Sequence, residues 1–458
     1  MKRSPLSLKN GSRISIVGGG PAGAFFAHFI HKMVIQSGLY LPVTIFDGKH
    51  FLQKGPKGCN LCAGVIAESL NQKLIEENLL LPEKRIVNRI DGYCFHVDGE
   101  NLFLSCEENK KNKIATVFRG NGPRYSNFPE TISFDDFLLT WAQDQGAQVI
   151  SEPVWDIFLP EDKQKPVDVY YGKNNQKKKL EADLVVGAFG VNTYLMKKIQ
   201  NLGFGYEPPR TLITYQAELK LGREYILKQF GNNIHIYMPK SKTLRYASVI
   251  PKQDFITITL IGKNNASTGI FKEFLDLKGV QNKIPNLKPH CFCYPRITIS
   301  PSKKPFTDRF VMVGDASFSR HYKNGIESAF VSAKLAAEAA IFSGIDTASF
   351  SDHYYGPAKK RIVHDNRYGQ FLFFLNDLIS SVPILTQSHL TLAKQMDNRN
   401  SPRKIRSILW NIFTGNIPYK EIFKKTFDLG LQISLSLLTM SLLVRKIKGL
   451  ITRLDLYN

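Results

Sequence analysis

A strand, a glycine-rich turn and a helix at the very start of the chain constrain its fold more than any other feature. Residues 13–17 are a β-branched run of buried-strand character, Gly18-Gly19-Gly20-Pro21-Ala22-Gly23 follows, and residues 22–35 read as an apolar helix. Residues 41–46 read as a second strand that closes on Asp47, completing a βαβ unit. Gly18, Gly20 and Gly23 form G-x-G-x-x-G. The first glycine permits the tight turn, the second lets the backbone approach a pyrophosphate, and the third allows close helix–strand packing. The helix start at Pro21 and Ala22 offers free N–H groups and a positive dipole end to phosphates. Asp47 stands 24 positions after Gly23, where a carboxylate accepts hydrogen bonds from ribose hydroxyls. Three spaced glycines alone also suit a purely structural turn. The strand before, the helix after and the acid beyond make the dinucleotide reading specific.

The rest of the chain fits an α/β protein. A helix is expected over 134–145, capped by Ser133 with Asp135 and Asp136 in its first turn. Short strands are expected at 148–150, 154–159, 167–171 and 184–186. Residues 55–110 read as irregular, with Gly-rich and Cys-bearing loops. From 211 to 262, strand-like runs separated by turn residues read as an antiparallel sheet. A buried strand returns at 310–313, and an Ala-rich helix follows at 325–342. Beyond Asp352 the chain is helical, basic and apolar by turns.

Two later motifs decide which dinucleotide is bound. Asp183-Leu184-Val185-Val186-Gly187-Ala188-Phe189-Gly190 is D-x-x-x-G-A-x-G at a strand end, and Gly314-Asp315-Ala316 follows the strand 310–313. In this order they resemble the flavoprotein class of aromatic hydroxylases, halogenases and geranylgeranyl reductases. The resemblance implies FAD as cofactor. It implies Asp315 at the ribityl chain and the helix N-terminus at Gly325 and Ile326 facing the flavin, with Gly190 among the cofactor contacts. Within the class the chain most resembles the geranylgeranyl reductase family. The loop Gly58-Cys59-Asn60-Leu61-Cys62-Ala63-Gly64 looks like that family's loop over the flavin, and Ser248-Val249-Ile250-Pro251-Lys252-Gln253-Asp254 looks like its substrate sheet. The aromatic-rich pattern of archaeal members is absent, with Ile234-His235-Ile236-Tyr237-Met238-Pro239 near its place. The W-x-W-x-I-P motif of halogenases is also absent.

The resemblance implies a discontinuous Rossmann-type FAD domain (11–200 and 300–345, with the Cys-bearing loop at 55–110), a substrate domain at 205–299 and a helical, membrane-seeking region at 346–458. An isolated alkene is a poor hydride acceptor, so its reduction needs a proton donor. Cys59, Cys62 and Tyr322 are the candidates, with His321 beside Tyr322. Cys59 and Cys62 form C-x-x-C, and Cys291 and Cys293 form C-x-C. The two pairs are expected to meet near the flavin. Plain buried cysteines, or a four-thiolate metal site or disulfide, remain the alternatives; no metal is assigned. Cys94 and Cys106 read as core. Arg119 and Arg124 are candidates for the pyrophosphate, and Glu327 reads as a helix N-terminal carboxylate rather than a catalyst.

The net charge of +22 points to an anionic partner. No nucleic-acid signature is present, which favours an anionic membrane surface. Six cysteines make no disulfide scaffold, so a cytoplasmic compartment is expected, with the protein peripheral on the inner face of the membrane. Residues 429–444 are sixteen uncharged, Leu-rich positions, with Arg445, Lys446, Lys448 and Arg453 close behind. At 1.5 Å per residue they span about 24 Å, short of the ~30 Å hydrocarbon core. This suits a helix lying on or dipping into a membrane; a buried helix of the terminal domain is the alternative. The function implied is an FAD-dependent oxidoreductase that reduces carbon–carbon double bonds of an isoprenoid (geranylgeranyl-type) lipid by hydride from flavin N5. With no second G-x-G-x-x-G unit, an external donor such as NAD(P)H or ferredoxin must supply electrons. A monooxygenase of an apolar substrate and a peripheral membrane flavoprotein with structural FAD are the alternatives.

Overall fold

The computed structural model describes residues 4–105, 114–173, 176–285, 287–322, 324–395 and 400–455. Cys106 and the side chains beyond residue 448 lie outside the described residues. Along the chain run β1 (Ile14–Val17), α1 (Pro21–Ser37), β2 (Val43–Phe46), β3 (Gly92–Val97), β4 (Glu100–Ser105), α2 (Phe134–Asp144), β5 (Gln148–Ile150) and β6 (Leu184–Gly187). They are followed by β7 (Tyr215–Lys220), β8 (Asn233–Met238), β9 (Leu244–Lys252), β10 (Phe255–Gly262), β11 (Cys291–Cys293), β12 (Phe306–Thr307), β13 (Phe310–Met312) and α3 (Gly325–Phe342). The chain ends in α4 (His364–Ser381), α5 (Pro383–Lys394), α6 (Asn400–Thr414), α7 (Tyr419–Thr426) and α8 (Leu429–Asp455).

The first sheet has the order β12-β13-β6-β1-β2-β5 and is parallel except for its β12 edge. Both of its faces are covered, so β1 is buried along its whole length. On one face α1 packs on α3, with the Phe330 ring edge-on to Phe25 and Phe29 at 5.2 and 5.1 Å. Truncating a phenylalanine in such a core typically costs about 3–5 kcal/mol. Ser133 caps α2 as expected, its hydroxyl accepting from the Asp136 N–H at 3.1 Å. This doubly wound layer bears out the Rossmann-type reading.

The second sheet has the order β11-β7-β10-β9-β8-β3-β4. It is antiparallel except where β8 runs parallel to β3, pairing Asn233–Met238 with Gly92–Val97. Residues 55–110 are therefore not simply irregular: they supply β3 and β4 to the sheet that closes the cavity. Tyr93, Phe95 and Val97 alternate with Cys94 and His96 over only six residues, a run too short to stand out within a Gly- and Cys-bearing stretch. One face of the sheet packs on the C-terminal helices through Tyr93, Phe95, Ile234, Ile236 and Phe413. The other carries Tyr237, Ala247 and Val249 against short helices at Arg223–Phe230 and Ile270–Leu275.

The last helix is longer than its uncharged run, reaching Asp455, and Leu429–Lys448 has the length and composition to cross a membrane. It packs on the domain through Leu431 and Leu435. On its opposite side Leu429 (75% exposed), Ile433, Leu437 (67%), Met440, Val444 and Ile447 line up in solvent. At 100° per residue these six fall within about 80° of the helix circumference. The buried-helix alternative holds for one face only.

Candidate functional site

A cavity of about 510 Å³ runs from the glycine turn, across the Cys-bearing loop, to the floor of the second sheet. Its first end is dictated by backbone sterics. Gly18 has φ of +112°, and a Cβ there would lie 2.5 Å from the Ala188 carbonyl oxygen. A Cβ on Gly23 would lie 1.9 Å from the Gly18 oxygen, so only glycine lets α1 start against the strand end. Gly20 differs: its Cβ position meets only the Asn60 side chain, at 3.1 Å, and opens toward the cavity. Asp47 accepts from the Gly19 N–H at 2.7 Å and the Lys49 N–H at 2.8 Å, which fixes its carboxylate at the cavity edge. Burial pushes its pKa up, against these hydrogen bonds.

At the middle of the cavity lie Gly314, Asp315, Gly325 and Ile326. Asp315 Oδ1 is buried without a hydrogen-bond partner, and burial raises the Asp315 pKa. An acceptor in this position suits a ribityl hydroxyl. Asn324 takes the left-handed conformation (φ +52°) that turns the chain into α3. Glu327, in the first turn, pairs with Lys73 at 2.5 Å and accepts from Ser69 Oγ at 2.8 Å, so its charge is spent on the protein. The glycine cradle, the fixed Asp47 carboxylate, the orphaned Asp315 oxygen and the open α3 N-terminus together fit a flavin dinucleotide.

Of the sequence-derived cofactor residues, Gly18, Gly20, Pro21, Ala22, Asp47, Arg119, Gly190, Gly314, Asp315, Gly325 and Ile326 line the cavity. Gly23 lies behind it and acts through packing. Arg119 is buried and bound to Asp135, with Nη2 donating to Oδ2 at 2.8 Å and Nε donating to Oδ1. Its guanidinium serves the Asp135 carboxylate first. Asp135 also accepts from Asn60 Nδ2, and Lys49 Nζ donates to the Cys59 carbonyl and to Asn60 Oδ1, so this network clamps the Cys-bearing loop. Asp135 reads in sequence as an ordinary first-turn acid; its complete burial has no local signal. Arg124 is exposed and does not line the cavity.

The candidate proton donors separate. Cys62 and Tyr322 line the cavity, whereas Cys59 does not. Tyr322, at φ +59°, accepts a hydrogen bond from Arg245 Nη1 at 2.6 Å, and Arg245 pairs with Asp377 at 3.0 Å. Arg245 thus faces the phenol oxygen as a charged hydrogen-bond donor. His321 is buried against Phe373, off the cavity, and burial lowers it to about 4, so it is neutral at pH 7 and is not an imidazolium acid.

Both cysteine pairs do meet, but in a second cavity of about 30 Å³ lined by Cys59, Cys62, Cys291 and Cys293 with Glu218 and Lys252. That volume is the size of one water molecule. Burial pushes Cys291 and Cys293 up to about 12 and raises Cys59, so these groups are thiols at neutral pH. All five described cysteines are free, and among the described residues the four sulfurs do not converge into a common ligand sphere. The disulfide and four-thiolate alternatives are therefore set aside. Sequence reasoning missed Glu218 and Lys252, which stand on alternating strands like solvent-facing residues. Burial pushes Glu218 up to about 7 and lowers Lys252, while the Thr257 hydroxyl lies 2.9 Å from both Glu218 oxygens.

No family model matches the chain. It is 22% identical over 350 residues to geranylgeranyl diphosphate reductase of Synechocystis sp., covering 72% of this chain and 75% of the relative. It is 23% identical over 363 residues to the chloroplastic geranylgeranyl diphosphate reductase of Nicotiana tabacum, covering 74% and 68%. Among solved structures, a geranylgeranyl bacteriochlorophyll reductase-like protein of Thermoplasma acidophilum superposes with a TM-score of 0.64 at 16% identity, covering 91% of this chain and 99% of that one. A flavin-dependent brominase shares the fold at a TM-score of 0.55 and 16% identity, covering 96% and 100%. With the cofactor motifs lining one cavity, the chain is an FAD-dependent oxidoreductase by fold and is similar in sequence to geranylgeranyl diphosphate reductases.

Proposed function

We propose that the protein reduces carbon–carbon double bonds of a geranylgeranyl-type isoprenoid lipid, taking electrons from an external donor. One observation carries the reading: the cavity that begins at the FAD cradle ends on an apolar floor of Tyr93, Ile234, Ile236, Ile250, Ile261 and Phe413. Such a floor suits a hydrocarbon chain and desolvates it beside the cofactor. Bound and reduced, FAD supplies the hydride.

The residues divide the remaining work. Gly18, Gly20, Pro21 and Ala22 would hold the pyrophosphate, Asp47 the adenosine ribose, and Asp315 the ribityl chain. Gly325 and Ile326 would present the positive end of α3 to the flavin ring. Saturating one double bond needs a hydride on one carbon and a proton on the other. Tyr322 would give that proton; the reading is supported by its oxygen accepting from Arg245, which leaves its own hydrogen free for the cavity. Cys62 is the second candidate; Cys59 supports the loop from behind.

The exposed stripe of α8 would sit in the interface of an anionic membrane on the cytoplasmic side, with Arg445, Lys446 and Lys448 at the headgroups. A lipid substrate gives this surface its use. The fold shared with the brominase favours oxygen chemistry as a second reading. The test is anaerobic photoreduction followed by geranylgeranyl diphosphate or O₂. Reoxidation by the prenyl compound, with a mass gain of two hydrogens per bond, supports the reductase. Oxygenated product supports the monooxygenase. Reaction with neither leaves FAD a structural role.

A further inference from the structure

Cys94, His96 and His235 belong to no part of the cavity. They lie on the opposite face of the second sheet, and Cys94 and His96 are successive residues on one face of β3. On the parallel neighbour β8, His235 stands in register with Cys94. Their ligand atoms, one thiol sulfur and two ring nitrogens, all lie within 4.8 Å of one another.

The hydrogen bonds around the two rings leave a hydrogen missing. His96 Nδ1 lies 2.6 Å from Asn101 Oδ1, and His235 Nε2 lies 2.9 Å from the Phe230 carbonyl oxygen. Both outer partners are acceptors, so each neutral ring turns its single N–H outward. The inner nitrogens, His96 Nε2 and His235 Nδ1, then face each other at 2.8 Å with lone pairs on both. Outward N–H to an amide or carbonyl oxygen, with the bare nitrogen turned inward, is how metal-ligating histidines are held. Both rings are also fixed by packing, His96 stacked on Tyr237 at 4.2 Å and His235 edge-on to Phe230 at 5.0 Å.

We propose that Cys94, His96 and His235 form a structural metal site for Zn²⁺, which fastens β3 to β8. One thiolate and two imidazoles are a zinc ligand set, with Zn–N near 2.0–2.1 Å and Zn–S near 2.3 Å. Tetrahedral angles at those lengths put the two nitrogens about 3.3 Å apart, so the rings separate by about half an ångström on binding. Cys94 and His96 are only half-buried, which leaves an entry path and a fourth position for water. None of the three residues lines the cavity, so the work of the site is to hold the sheet together.

The experiment uses the full-length, flavin-loaded protein, stripped with a chelator and reloaded with Zn²⁺ or Co²⁺. The expected result is one metal per chain, with sulfur-to-cobalt charge transfer and tetrahedral cobalt bands to the red of the flavin. Cys94→Ser should abolish the charge transfer and weaken binding by about 100-fold. Asn101→Ala, which removes only the outer partner of His96, should weaken it by about 10-fold. Flavin content reports folding in both variants, and Cys291→Ser should leave the cobalt spectrum unchanged. The proposal is overturned if no stoichiometric metal is taken up. In that case the Asn101 amide is turned over and its NH₂ supplies the missing hydrogen. It is equally overturned if the cobalt spectrum survives Cys94→Ser.

Discussion

At the cofactor end of the cavity the wall is backbone: Gly18 and Gly23 admit no side chain, and the contacts offered are N–H groups at the starts of α1 and α3. At the sheet end the wall is side chain: Tyr93, Ile234, Ile236 and Phe413 set its shape. Backbone geometry has no graded variants, so the first end tolerates little. Side-chain walls change volume a methylene at a time, so under the proposed function the second end would be where substrate preference is tuned.

Breaking the cofactor end gives the largest effect. Gly20→Val places its methyls in space opening to the cavity rather than into protein, so the protein should fold yet lose FAD by more than about 100-fold. Flavin absorbance against circular dichroism measures this; full flavin occupancy in a folded variant would sink the cofactor assignment. Gly23→Val, by contrast, drives into the Gly18 carbonyl and should not yield folded protein at all.

The middle of the cavity sharpens the comparison. If Tyr322 or Cys62 gives the proton, Tyr322→Phe or Cys62→Ser should cut turnover by about 10²-fold with FAD content kept. Cys59→Ser, off the cavity, should cost far less. Equal losses at Cys59 and Cys62 would show that the loop, not a sulfur, matters.

Beyond the sheet end, α8 should bind liposomes more strongly as anionic lipid rises, gaining about 1 kcal/mol per Lys or Arg near the surface and weakening with salt. Deleting 426–458 should release the protein. A full-length chain that stays in the supernatant in sedimentation leaves the exposed stripe unexplained.

The smallest effect concerns the cysteine pocket. A thiol with its pKa raised is protonated over a wider range, so reactive thiolate accumulates only at higher pH. Alkylation of Cys291 and Cys293 by iodoacetamide should keep accelerating past pH 9 instead of levelling near it. A plateau near pH 9 in peptide mass spectra would mean that the pocket is wetter than the structure shows.

The cofactor end was legible in sequence because its requirements are local. A glycine turn, an acid at the next strand end and a Gly-Asp after a later strand each follow from the backbone within a few residues. The Cys-bearing loop was legible as a place but not as a geometry, since only Cys62 faces the cavity and Cys59 turns away. The second sheet was half legible. The runs between 211 and 262 alternate clearly, but β3 pairs with a strand well over a hundred residues away and β4 joins the sheet only through β3, and no local pattern announces such a partner. Asp135, Glu218 and Lys252 were missed for the same reason: their burial comes from distant segments that fold over them.

The parallel seam between β3 and β8 has a consequence for how the protein is made. Residue 97 leaves the ribosome 141 residues before residue 238 does. At ordinary rates of synthesis that is roughly 7–28 s. Throughout that interval the β3 edge that β8 will fill stays open, and the apolar face of Tyr93, Phe95, Leu102 and Leu104 has no later segment to cover it. A nascent chain in this state is a natural client for a holding chaperone. The same seam governs dissection: a fragment spanning 205–299 carries β8 without its neighbour and should aggregate through that edge when produced alone.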